Sequence, residues 1–120
     1  MTRSPLRTFA RNGLLAAVAA ASLLPQPWKG RLATFGPLHD CAHIAVFFLA
    51  SVLTMRRLWK MRELPIASSI LGLFGVALEV LQTRVYHNRL EIYDILDDLA
   101  GIALGVLGST ALGVDHSCPR

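Results

Sequence analysis

Three long stretches of the chain, residues 44–55, 64–78 and 99–114, contain no charged side chain. Each has a small polar group at one end: Asp40 and His43 before the first, Glu79 and Gln82 after the second, Asp94 and Asp98 before the third. A shorter apolar run, residues 14–24, follows Arg3, Arg7 and Arg11 and stops at Pro25 and Pro27, because proline cannot continue a helix and disfavours helical geometry in the residue before it. A spanning helix needs about 20 mostly apolar residues. The runs reach that length only if each continues through its polar end, which predicts helices over roughly 9–25, 40–58, 65–86 and 91–113 and a tail at 114–120. Helices of a soluble bundle would show a polar outer face every 3.6 residues or so, and these runs show none. The pattern predicts an all-α membrane protein, a small bundle of about four transmembrane helices in a single domain.

Composition points the same way. Hydrophobic residues make up 53% of the 120 and charged residues 17%, below the roughly 25% charged of an ordinary soluble domain. Eight of the twelve basic residues (Arg3, Arg7, Arg11, Arg56, Arg57, Lys60, Arg62 and Arg120) fall on one side of such a bundle, and Lys29, Arg31, Arg84 and Arg89 on the other. The excess of positive charge on cytoplasmic loops places both termini and the loop at 56–63 inside, with Trp28, Tyr86 and Tyr93 at the outer interface and Trp59 at the inner one. The expected location is the bacterial inner membrane, as a multi-pass protein. The net charge of +4 is then a topology signal, and nucleic acid is not an expected partner. The basic start and short first run also fit a secretory signal peptide. A cut at Ala19-Ala20-Ala21, however, would leave little apolar core before it, so a retained first helix is expected, with Arg7 and Arg11 reaching back to the surface.

The helix faces show which residues turn inward. Ser68, Gly72, Gly75, Glu79, Gln82 and Tyr86 recur at spacings of three and four, as do Glu91, Asp94, Asp98, Gly101, Gly105, Ser109 and Gly113. Small residues four apart let helix backbones approach closely in lipid. These two stripes are expected to pack the third helix on the fourth, with Gly105 in the seam and the acids inside. On the second helix His39, His43, Phe47, Ala50 and Thr54 form the corresponding stripe, with Asp40 beside it. At about 1.5 Å per residue, Asp98 and Glu79 each lie about 10 Å from the outer helix ends, so one outward-facing cluster of His43, Glu79, Gln82, Asp94 and Asp98, with Asp40 and Arg89 nearby, is the candidate site. Ionisable groups at membrane depth are functional candidates by default. The structural alternative is polar glue, with the acids paired to Arg84 and Arg89 to pin the helix ends together.

These residues resemble the VanZ-like membrane proteins, four-helix proteins with an Asp-Lys-x-x-His motif opening the second helix, a Glu-x-x-Gln motif ending the third, and an Arg, Asp, Asn, Gly, Gly series running into the fourth. Leu78-Glu79-Val80-Leu81-Gln82 matches the middle motif, Asp94 with Gly101 and Gly105 the last, and His43 the histidine; the Pro25-Gln26-Pro27 stop is also similar. The resemblance covers roughly residues 14–110. Aligned on His43, the family's aspartate falls on His39 and its lysine on Asp40. Asp98 stands where the family usually has asparagine, and Arg89 is one residue out of the arginine spacing. The resemblance implies a link to low-level resistance against the glycopeptide teicoplanin. It also suits a pocket that binds or modulates a cell-envelope amphiphile, either a lipid head group or a lipidated antibiotic.

Other chemistries are weaker in the sequence. His39-Asp40-Cys41-Ala42-His43 places two imidazoles at i and i+4, like the zinc-protease pattern His-Glu-x-x-His, with Glu79 or Asp94 as third ligand. The shorter carboxylate of Asp40 changes the reach, and Pro37 leaves His39 at the margin of the expected helix. His39 and His43 are therefore only a weak alternative metal pair, and no cofactor is expected. Cys41 and Cys118 fall on opposite sides of the expected bundle and cannot bridge within one chain. Besides the amphiphile-binding reading, two alternatives are an accessory subunit with no activity of its own and an intramembrane metal-dependent hydrolase. The second lacks a nucleophile near the cluster, since Ser51, Ser68 and Ser69 lie deep or toward the cytoplasm. Self-association is left open.

Overall fold

Among the described residues the computed structural model has four helices: α1 over Pro5–Ser22, α2 over Pro37–Met55, α3 over Leu64–Tyr86 and α4 over Ile92–Ala111. The structure describes residues 5–24, 37–55, 63–87 and 89–111, and no strand occurs among them. The all-α class and the four helices agree with the pattern of apolar runs. The expected tail at 114–120, Trp28, Trp59, Cys118 and the basic residues at 56–62 lie outside the described residues.

The boundaries move where proline acts. The first helix, expected over 9–25, starts at Pro5 and ends at Ser22. Pro5 supplies a preset φ at a position whose N–H needs no partner, and Leu23 and Leu24 close the end with turn-type bonds to the carbonyls of Ala19 and Ala21 before Pro25 is reached. The second helix, expected from residue 40, opens at Pro37 for the same reason. His39 is therefore helical and shares the first turn with Asp40, which corrects its expected marginal place. α3 has proline in its first turn and closes on His87, whose φ of 53° is left-handed, the usual geometry just past a helix end.

α2 is the central element and touches the other three helices. Its Phe47 and Ala50 form the buried core with Leu71 of α3 and Ile102 of α4, and Leu14, Leu15, Val46, Phe74 and Val106 close around them. The glycines explain the close seams. A Cβ on Gly101 would lie 2.5 Å from the Ile44 carbonyl oxygen, and one on Gly105 would lie 2.5 Å from Ser51 Cβ. The stripe on α4 therefore packs against α2, not against α3 as its spacing alone suggests. Ser51 Oγ tightens that seam by donating to the Ile102 carbonyl at 3.1 Å. α3 meets α4 through its own glycines: Gly72 faces Leu99, and Gly75 faces the Asp98 carboxylate.

The outside of the bundle is apolar. Leu49, Ile66, Ile70, Leu73, Leu81, Leu96, Leu104 and Leu107 are exposed, while Ser51, Glu79, Asp94, Asp98 and Ser109 are buried. α2 and α3 are long and apolar enough to cross a membrane by length and composition. α4 has 20 residues but carries Asp94, Asp97 and Asp98, and α1 has 18 with Arg7 and Arg11 near its start.

Candidate functional site

The first two turns of α2 and the first two turns of α4 lie side by side. Chain direction alternates along the bundle, so these two helices run parallel, and a step of four residues on one matches a step of four on the other. His39 therefore meets Asp94 and His43 meets Asp98, each pair separated by 55 residues in sequence. Asp94 and Asp98 retain only 6% and 4% of their exposure, and Glu79 on α3 retains 6%. Carboxylates at that depth require specific partners, because an unpaired buried charge is strongly unfavourable.

The partners are specific. His43 Nδ1 lies 2.7 Å from Asp98 Oδ1; an ionised carboxylate can only accept, so the Nδ1–H donates. His39 Nε2 lies 3.2 Å from Asp94 Oδ2, and His43 Nε2 lies 3.9 Å from the same oxygen. The two imidazoles meet edge to face, with ring centroids 4.6 Å apart. Glu79 Oε1 accepts the Glu91 backbone N–H at 2.8 Å, which joins the end of α3 to the start of α4 and satisfies a donor left over at a helix N-terminus. Glu91 precedes α4. Partial desolvation, followed by the charge of Asp94, a hydrogen bond with Asp94 and the charge of Glu79, holds its carboxyl above the usual range, against the opposing charge of His39.

The site residues read from the sequence are placed as follows. His43, Asp94 and Asp98 come together directly, and Glu79 joins the same region through its bond to Glu91. Gln82 is half-buried, about one turn further along α3. Asp40 is exposed, yet its carboxylate groups with those of Asp94 and Asp97 within 4.8 Å. Arg89 is exposed, and neither it nor Arg84 forms an ion pair among the described residues. The glue expected from those arginines is supplied instead by imidazoles and a backbone N–H. His39, held only as a weak alternative, belongs to the centre of the cluster, whereas Asp97, which no motif marked, lies at its edge. The available signal was the pair of i, i+4 couples, His39 with His43 and Asp94 with Asp98, on two parallel helices.

Of the third ligands considered for a metal, Asp94 is the one near both histidines; its oxygen and one nitrogen from each ring lie within 4.8 Å of one another. Cys41 is a free, exposed thiol. Tyr86 Oη donates to the Leu23 carbonyl and ties the far end of α3 to the end of α1. No protein-family model, no curated protein and no solved structure matches this chain.

Proposed function

We propose that the chain is a four-span membrane protein of the VanZ-like kind, located in the bacterial inner membrane, whose cluster at the outer mouth of the bundle binds the polar head of a cell-envelope amphiphile. The observation that carries this reading is the inverted distribution of polarity: Glu79, Asp94 and Asp98 are buried between helices while leucine and isoleucine cover the outside. In water that arrangement would expose a large apolar surface, which soluble monomers avoid. In a bilayer it is the expected one, with intramembrane ionisable groups facing the interior of the bundle.

The chemistry of the cluster narrows the ligand. Three buried carboxylates, with Asp40, Asp97 and Glu91 close by, face two imidazoles, and this excess of acid favours a head group that brings positive charge. The test is a set of variants in cells producing the protein, scored for teicoplanin susceptibility and for protein accumulated in the membrane. Asp98→Asn and Glu79→Gln, each of which keeps an acceptor oxygen while removing the charge, should abolish a susceptibility difference while leaving accumulation near normal. Variants that keep full activity at normal accumulation would refute the reading, as would activity that merely follows the amount of protein.

A further inference from the structure

We infer that His39, His43 and Asp94 form a binding site for a divalent transition-metal ion of the zinc class. This inference rests on reading the cluster as a binding site, but not on the identity of the amphiphile. In a tetrahedral zinc site with bonds of about 2.0–2.2 Å, neighbouring donor atoms lie about 3.3–3.6 Å apart. Asp94 Oδ2 lies 3.2 Å from His39 Nε2 and 3.9 Å from His43 Nε2. The donors therefore already surround a point that an ion can occupy with small side-chain adjustments.

The second distance, 3.9 Å, is of ion-pair length but leaves His43 Nε2 without a hydrogen bond to Asp94, although its ring is fixed on the other side by the short Nδ1–H bond to Asp98. A histidine whose one nitrogen donates to a carboxylate presents the lone pair of the other, as in the carboxylate–histidine–metal arrangement that orients and strengthens metal-ligating imidazoles. Asp98 is then a positioning residue, which accounts for a buried carboxylate one helical turn beyond the ligand Asp94. Two imidazoles and one carboxylate suit zinc and its first-row neighbours rather than magnesium or calcium, which prefer all-oxygen sites. Three protein ligands leave a position open for water or for an oxygen of a head group.

The experiment is calorimetric titration of the full chain in detergent micelles with zinc chloride, repeated with magnesium chloride. Because His116 and Cys118 also offer donors, a His116→Ala/Cys118→Ser version is titrated beside the natural one. One zinc per chain should bind in both, with no magnesium binding. Asp98→Asn should weaken zinc about 10- to 100-fold while keeping the stoichiometry, His39→Ala and Asp94→Asn should weaken it further, and Cys41→Ser should bind as the natural chain does. The natural chain is itself decisive whatever the variants do to folding. If it takes up no zinc, prefers magnesium, or loses binding with the tail donors alone, the metal site is refuted. The susceptibility assay on the amphiphile reading is unaffected by that outcome.

Discussion

Asp98 is held by contacts from two helices, accepting from His43 at 2.7 Å and lying against Gly75 of α3. Because that contact leaves no room for a methyl group on Gly75, Gly75→Ala should displace the carboxylate and weaken the His43 bond; the imidazole resonances in a nuclear magnetic resonance titration should shift, and unchanged resonances would show that the carboxylate relaxes freely. Glu79 behaves differently, because its described partner is a backbone N–H. Glu79→Gln keeps an acceptor oxygen and should leave thermal stability in detergent nearly unchanged. Glu79→Ala leaves the Glu91 N–H without its acceptor and should cost about 1 kcal/mol, the usual scale for a lost hydrogen bond. Equal melting temperatures for the two variants would mean that water replaces the carboxylate. Metal binding by this cluster requires neutral imidazoles and an ionised Asp94, so zinc affinity should fall as pH is lowered and binding should release protons. Titrations in buffers of different ionisation enthalpy measure that release directly. Much of this site could be read in the sequence, since His43, Glu79, Asp94 and Asp98 stand at the ends of apolar runs. The role of His39 was harder to see because it depends on α2 opening at Pro37, three residues before the expected start at residue 40.

Among the helices, the glycine stripe of α4 was legible from its spacing but its partner was not. Spacing identifies a face that packs closely, but which neighbour it meets depends on how the helices are arranged around one another. Here the central position of α2 decides, and Gly101 and Gly105 face Ile44, Phe47, Phe48 and Ser51. Adding side-chain atoms at such a contact typically costs about 1–3 kcal/mol, and at Gly101 the opposing atoms include backbone, which cannot turn aside. Gly101→Ala should therefore lower the melting temperature in detergent, and Gly105→Leu should do so more strongly. Gly13, with nothing within 4 Å of its added Cβ, serves as the control, and Gly13→Ala should be neutral or slightly stabilising, as glycine is a poor helix former. At Gly105 the two nearest obstructing atoms belong to the Ser51 side chain and the third is the Phe48 carbonyl oxygen at 2.9 Å, so Ser51→Gly should partly, but not fully, rescue Gly105→Ala. If a change in α3 rescues it instead, the assignment of this seam to α2 fails.

For the whole molecule, the split of basic residues predicts its orientation on the proposed membrane reading: a reporter after Arg120 or in the loop at 56–63 should behave as cytoplasmic, and one near Gly30 as external. Reporters on the opposite sides would invert the cluster and remove its access to the outer leaflet. The parallel pairing of α2 with α4 also bears on how the chain is made. On the membrane reading the three aspartates of α4 oppose its entry into lipid, each by up to about 3 kcal/mol at the centre of a span, yet the imidazole partners of Asp94 and Asp98 are synthesised some 55 residues earlier. On this account α4 is a passenger of α2: the translocon releases it into the bilayer efficiently only when the histidines are already in place. A glycosylation-site reporter of α4 insertion should then show a clear drop for the His39→Ala/His43→Ala chain and for α4 expressed alone. Full insertion of α4 in isolation would show that the ribosome delivers four independent spans, and that the histidines are needed only after the bundle has formed.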